Sequence, residues 1–168
     1  IYTDSPVANG GSGGGLAIND SFIKIVDCVI SGNKSGNAVF KTTIPPGGDY
    51  ALPKGGSGGG IYINQSTHQF INSTIANNSA GTAVIVAASE KENLIVSDSV
   101  RGQGGGLFTV NVPANATNSI IAGNYILDYS IFNDIEGPCL LNYSLLSTDT
   151  LTLLTPGEGN LVNYDPGF

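Results

Sequence analysis

One short phrase of this sequence recurs three times at nearly constant spacing. It consists of Ser or Gln, three glycines and then Leu or Ile, and occupies residues 12–16, 57–61 and 103–107, at intervals of 45 and 46 residues. A second phrase keeps the same register at residues 28–33, 73–78 and 119–124, and it ends each time in Asn. Two landmarks in one register indicate an internal repeat. Repeats of this length typically stack, so that each unit buries its apolar face against its neighbours.

The composition favours strands and turns over helices. Gly accounts for 24 of 168 residues, Met and Trp are absent, and short runs of Val, Ile and Thr follow the glycines. The spacing fits two turns of roughly 20–25 residues in each unit. In this interpretation, residues 83–87 take the place of the strand after the glycines, and residues 93–97 take the place of the next strand.

The repeat therefore predicts an all-β fold, a right-handed single-stranded parallel β-helix of about seven turns. We expect a single domain over residues 1–168, with units at about 12–56, 57–102 and 103–168. The Pro- and Gly-rich residues 44–56 interrupt the pattern and are expected to loop out.

Residues at equivalent positions of the units are predicted to stack. Alternation points three residues of each second strand inward: Val26, Cys28 and Ile30; Ile71, Ser73 and Ile75; Thr117, Ser119 and Ile121. The asparagines that end the second phrase are predicted to form a ladder of amides: Asn33, Asn78 and Asn124. The residues before them suit a left-handed corner: Gly32, Asn77 and Gly123.

These motifs, together with the closing residues 159–168, resemble the right-handed parallel β-helix repeats of large bacterial surface proteins. These include polymorphic outer-membrane and autotransporter-passenger-like proteins and Gly/Asn-rich adhesin-like proteins. The resemblance covers nearly the whole chain. It implies a secreted, extracellular or cell-surface location, but a fold does not determine a function.

The two cysteines and the single histidine are given no chemical role. Cys28 and Cys139 are expected to lie about five turns, or ~24 Å, apart, whereas a disulfide needs Cα atoms within about 7 Å. We therefore predict two free cysteines, although one bridge remains the alternative for a secreted chain. His68 has no accompanying ligands at metal-binding spacing, so it is predicted to be a surface turn residue and no metal site is expected.

Seven Asn-x-Ser/Thr sequons are candidate glycosylation sites: Asn19, Asn33, Asn64, Asn72, Asn77, Asn115 and Asn142. Asn19 and Asn64 occupy the same repeat position, just after the glycine strand. A ladder would bury the amide of Asn33. The alternative for all seven is plain corner and surface chemistry, because Asn, Ser and Thr also suit β-helix corners.

The charge and the hydropathy of the chain argue against nucleic-acid binding and against a membrane-spanning helix. The net charge is −7, and the six basic residues are scattered, which argues against nucleic-acid binding. No apolar run approaches the roughly 20 residues of a membrane-spanning helix. No cofactor motif is present.

Many parallel β-helices cleave polysaccharides, so an enzyme is a further hypothesis for this sequence. The candidate carboxylates do not recur with a partner at a repeat position: Glu90, Glu92, Asp98, Asp128, Asp134 and Glu136. We therefore predict no catalytic residue, and a polysaccharide-binding or polysaccharide-degrading β-helix is the alternative. Tyr62 and Phe108 align and could form a short aromatic ladder, and Tyr125, Tyr129 and Tyr143 are further aromatic candidates for sugar contacts.

The favoured hypothesis is an extracellular structural or adhesive protein. Neither end shows an amphipathic capping helix, and residues 1–2 and 161–162 are apolar. Either the chain is an excerpt of a longer β-helix, or copies associate end to end. Head-to-tail contacts that do not close would give a filament, here a glycosylated one.

Overall fold

The computed structural model describes residues 8–42, 53–87, 101–126, 131–147 and 154–167. These residues form seventeen β-strands and no helix. The first unit contributes β1 (Leu16–Asn19), β2 (Phe22–Val26), β3 (Val29–Ser31) and β4 (Ala38–Thr42). The second contributes β5 (Ile61–Asn64), β6 (Thr67–Ile71), β7 (Thr74–Ala76) and β8 (Ala83–Ala87). The remainder forms β9 (Leu107–Val110), β10 (Ala114–Thr117), β11 (Ile120–Ala122), β12 (Tyr125–Ile126), β13 (Ile131–Phe132), β14 (Ile135–Glu136), β15 (Cys139–Asn142), β16 (Leu145–Leu146) and β17 (Leu154–Pro156).

Three parallel sheets organise these strands. The first sheet has the order β1-β5-β9-β14, the second has β2-β6-β10-β15-β17, and the third has β3-β7-β11-β16. The chain visits the three sheets in the same order on each passage, so each of the first four passages adds one strand to each sheet, and β17 then adds a fifth strand to the second sheet. Two small sheets stand apart from this pattern: the parallel pair β4-β8 and the antiparallel pair β12-β13.

The strand register shows that each of the first two units contributes one layer rather than two. Leu16 pairs with Ile61, Val29 pairs with Thr74, and both steps span one repeat. The predicted position of residues 83–87 is wrong, because β8 pairs with β4 and not with a strand of the first sheet. Residues 93–97 and most of the predicted loop-out lie outside the described residues.

Left-handed corners separate the three sheets. Each corner uses a residue with positive φ at the same place in successive layers: Asp20, Gln65 and Asn111; Asp27, Asn72, Asn118 and Tyr143; Gly32, Asn77 and Gly123. The last set confirms the corner predicted from the sequence. Gly, Asn and Asp tolerate this conformation best, which explains why the strands are short and the corners rich in these residues.

Glycines allow successive passages of the chain to stack closely in the segments that lead from the third sheet back to the first. The amide of Gly36 donates to Gly11, that of Gly56 to Gly36, that of Gly81 to Gly56 and that of Gly102 to Gly81, all at 2.8 to 2.9 Å. Each crossing segment is backbone packed on backbone, and a Cβ on Gly81 would collide with the carbonyl oxygen of Gly36. The glycine runs are therefore a packing requirement of the repeat and not a linker.

The inward side chains of the three sheets form one hydrophobic core. Ile61 and Leu107 come from the first sheet, Phe70 from the second, and Ile75 and Ile121 from the third, and all five are fully buried.

The predicted inward set is correct only in part. Ser73 and Ile75 are buried, but Phe70 rather than Ile71 enters the core, because the left-handed Asn72 interrupts the strand alternation. By the same shift, Ile25 is buried and Val26 is exposed.

Candidate functional site

The asparagines of the repeat form a continuous ladder through three layers. The amide nitrogen Nδ2 of Asn33 donates to Oδ1 of Asn78 at 3.0 Å, and Nδ2 of Asn78 donates to Oδ1 of Asn124 at 2.9 Å. The backbone N–H groups of Asn33 and Asn78 donate to the same two oxygens. Between the asparagine side chains, each Nδ2 donates to the Oδ1 of the layer that follows, so the ladder has a direction, while Nδ2 of Asn78 and of Asn124 also donates to a carbonyl of the preceding layer.

Asp134 ends the ladder. Its Oδ1 accepts from the backbone N–H and Nδ2 of Asn124, and its Oδ2 accepts from the N–H and hydroxyl of Ser147. Burial raises the pKa of the Asp134 carboxyl, and these hydrogen bonds offset part of that rise. A carboxylate fits this position because donors approach it from both sides. The residue was a candidate enzymatic acid, and the structure instead places it at the end of a structural column.

A second polar column runs along the corner between the second and third sheets. The backbone N–H groups of Cys28, Ser73 and Ser119 donate to the hydroxyls of Ser73, Ser119 and Ser144. The column ends where the N–H of Ser144 donates to Oδ1 of Asn160 at 2.9 Å.

The two cysteines are free thiols in different surroundings. Cys28 was predicted to point inward, but it is exposed because no described strand packs outside the layer of β1, β2 and β3. Cys139 is buried on β15, three strands from β2 in the second sheet, and burial raises the pKa of its thiol to about 12.

His68 is a core residue and not the surface turn residue that was predicted. It lies on β6 with no exposed surface, in register with Ile23. Its Nδ1 is 2.7 Å from the carbonyl oxygen of Ser66, so Nδ1 carries the proton, and among the described residues Nε2 has no partner. Burial lowers the pKa of His68, and the Ser66 contact counteracts part of that effect.

The sequons differ in exposure. Three of the seven asparagines are exposed, namely Asn19, Asn72 and Asn77. Four are half-buried, namely Asn33, Asn64, Asn115 and Asn142. The Nδ2 of Asn33 is engaged by Asn78 and by the carbonyl of Ser31, as expected for a ladder amide.

The remaining candidate acids do not assemble into a recognisable centre. Glu90, Glu92, Asp98 and Asp128 lie outside the described residues, and Glu136 accepts a hydrogen bond from the side chain of Asn133. Within the described ranges, no three His, Cys, Asp or Glu side chains are placed to hold a metal ion. The same part of the chain contains no helix that could cross a membrane.

Aromatic side chains gather in two places. Tyr62 and Phe108 stack at 5.8 Å between ring centroids, as their alignment predicted. The ring centroids of Tyr125 and Phe132 are 4.7 Å apart, and the two rings lie beside a cleft of about 400 Å³. Phe132 was missed because it belongs to a hairpin that the repeat does not contain. Tyr143 is exposed at a corner, and Tyr129 lies outside the described residues.

The layer of β1, β2 and β3, which we call the first layer, has an apolar outer surface. Phe22 and Val29 are 73% and 72% exposed, and their register partners in the next layer are Thr67 and Thr74. The position of Phe22 is therefore apolar in the first layer and polar in the next, whereas the position of Val29 is apolar again in the later layers, as Ile120 and Leu145. Aligning the repeats would have revealed these substitutions from the sequence alone.

No protein family, curated protein or solved structure matches this chain.

Proposed function

We propose that this chain is an extracellular or cell-surface structural protein, a right-handed parallel β-helix that associates through its first layer. The return of the chain to the same three sheets supports the helix, and parallel crossover connections are almost always right-handed. The second sheet has five strands, one from each of the first two units and three from residues 103–168, fewer than the seven turns inferred from two turns per repeat.

The observation that carries the proposal is the apolar first layer. Its strand edges have no partner strand among the described residues, and unpaired parallel edges readily accept further strands. The inward residues Leu16 and Ile30 are also half-exposed here, whereas their partners Ile61 and Ile75 are fully buried. Covering this surface removes apolar area from water, which favours association.

The opposite end is less suited to stacking. Asp134 closes the Asn ladder, Asn160 closes the serine column, and Pro156 lies in the edge strand β17, where it lacks an N–H. Head-to-tail stacking, which would give the filament expected from the sequence, would leave the Asn ladder without an amide donor between Asp134 and the first layer of the next copy. Association of two first layers about a two-fold axis is therefore the form of self-association that we favour.

Glycans are the second part of the proposal. Asn19, Asn72 and Asn77 are the exposed sequons, and a glycan requires an accessible amide. We assign glycans to Asn19 and Asn72, because Asn77 borders the cleft beside Tyr125 and Phe132. Intact-mass analysis of protein secreted by a eukaryotic host should show added hexose-sized steps. Substituting Asn19 and Asn72 with Gln should remove these mass steps.

Sedimentation velocity tests the association. The protein should sediment as a dimer, and Phe22→Thr with Val29→Thr should convert it to a monomer, because both changes restore the threonines of the next layer. Leu140→Thr, an exposed position on β15, is the matched control and should leave the dimer intact. A monomeric parent protein, or a dimer that survives the double substitution, would refute the proposal. Filaments in electron microscopy would support head-to-tail stacking instead.

A further inference from the structure

We infer that the cleft beside Tyr125 and Phe132 is a binding site for a neutral or N-acetylated saccharide. The cleft has a volume of about 400 Å³ and lies between the β12-β13 hairpin and the segment at residues 163–166. This volume falls within the roughly 300–1,000 Å³ typical of small-ligand sites. The site is separate from the first layer, so it does not depend on the proposed association.

The aromatic wall is a local departure from the repeat. Lys34 and Ser79 precede Tyr125 at the same position in successive layers, so this position is polar in the two earlier units. The partner ring, Phe132, belongs to the antiparallel hairpin and is 54% exposed. Neither ring belongs to the hydrophobic core of the three sheets, and departures from a repeat often mark a binding face.

The floor of the cleft is open because a glycine replaces an asparagine. Asn77 and Gly123 occupy the same left-handed corner in successive layers, with φ of 55° and 64°. A Cβ on Gly123 would lie 3.0 Å from Oδ1 of Asn77, so a side chain there would crowd the Asn77 amide. Gly123 therefore leaves space beneath Asn77, and the exposed amide borders the cleft.

The chemistry of the lining matches a sugar ring. An aromatic face attracts the polarised C–H groups of a pyranose, while the amides of Asn77 and Asn163 can both donate to and accept from hydroxyls. Asp165 adds an exposed carboxylate, and no Lys or Arg is among the described lining residues. A uronic acid would meet like charge here, so we expect neutral or N-acetylated sugars to be preferred.

Calorimetric titration of the protein made in a bacterial host tests this assignment, because that host leaves Asn77 unglycosylated. The probes are cellotriose, triacetylchitotriose and trigalacturonate at millimolar concentrations. We expect saturable binding of at least one of the first two and weaker or no binding of trigalacturonate. Absence of binding by all three, or preference for trigalacturonate, would overturn the assignment.

Two variants locate the binding site. Phe132→Ala should weaken binding about tenfold through loss of the ring contact. Asn77→Gly should weaken it while keeping the fold, because Gly occupies the same corner in the layers on either side. The matched controls Leu140→Ala and Asn72→Gly lie elsewhere and should leave the affinity unchanged. Circular dichroism verifies folding, and sugar binding that persists in both Phe132→Ala and Asn77→Gly would place the site elsewhere.

Discussion

Replacing Asn78 with Ala should be among the most damaging single substitutions in the ladder. The side chain of Asn78 accepts two hydrogen bonds from Asn33 and donates two, to Oδ1 of Asn124 and to the carbonyl of Ile30. Asn78 is fully buried, so water cannot replace these partners. Four hydrogen bonds at about 1 kcal/mol each give a loss of about 4 kcal/mol in the free energy of unfolding.

Asn33→Ala provides the internal comparison. Its Nδ2 makes two hydrogen bonds, to Asn78 and Ser31, and the residue is half-buried in the first layer, where water competes. We expect a loss of about 1 kcal/mol. Asn19→Ala, at an exposed position outside the ladder, is the control and should change stability by less than about 0.5 kcal/mol.

Urea unfolding followed by far-ultraviolet circular dichroism measures all three variants. We expect the loss in the free energy of unfolding to be largest for Asn78→Ala, smaller for Asn33→Ala and smallest for Asn19→Ala, because the number of hydrogen bonds and the burial decrease in that order. If Asn78→Ala and Asn33→Ala cost the same, or if Asn78→Ala costs less than about 1 kcal/mol, the ladder does not stabilise the stack as we argue.

Three further measurements test other features. Gly81→Ala should prevent the backbone crossing at Gly36 and cost at least about 3 kcal/mol in urea unfolding, because backbone rather than a flexible side chain must move. Burial lowers the pKa of His68 in the folded protein. As the pH falls below the ordinary value of 6.5, the imidazole is therefore protonated in the unfolded chain before it is protonated in the folded protein. Stability should therefore be full above that pH and decrease below it by up to about 1.4 kcal/mol per pH unit, and His68→Leu should abolish this slope in the same assay. Exposed Cys28 should react with a thiol reagent in the native protein, whereas Cys139 should react only after unfolding, and equal rates would contradict the burial of Cys139.

The features that were predicted correctly from the sequence depend only on which residue type recurs at a given position of the repeat. The Asn ladder and the Gly32, Asn77 and Gly123 corner follow from residue type at a fixed interval, and stacking at one position needs no knowledge of distant contacts. The stacking of Tyr62 on Phe108 follows for the same reason.

The incorrect predictions concern which strands pair with each other and which side chains of a strand point inward. An apolar run such as residues 83–87 does not encode which strand it will meet, so its pairing with β4 could not be read from its composition. His68 was misjudged because a lone histidine usually lies at the surface, yet it has the same parity as the buried Phe70 in one alternating strand. Phe132 and Asp134 fall where the repeat shortens, and periodicity carries no information there.

A cross-linking measurement tests most directly whether each repeat adds a single layer. Lys24 and Gln69 are register partners with exposed side chains, and neighbouring parallel strands lie about 4.8 Å apart, within reach of a disulfide. With Cys28→Ser and Cys139→Ala as background, Lys24→Cys with Gln69→Cys should form an intramolecular disulfide on oxidation. Lys24→Cys with Asn115→Cys, two layers apart at roughly 10 Å, should not. Failure of the first pair would contradict the one-layer repeat and restore the interpretation of two turns per unit.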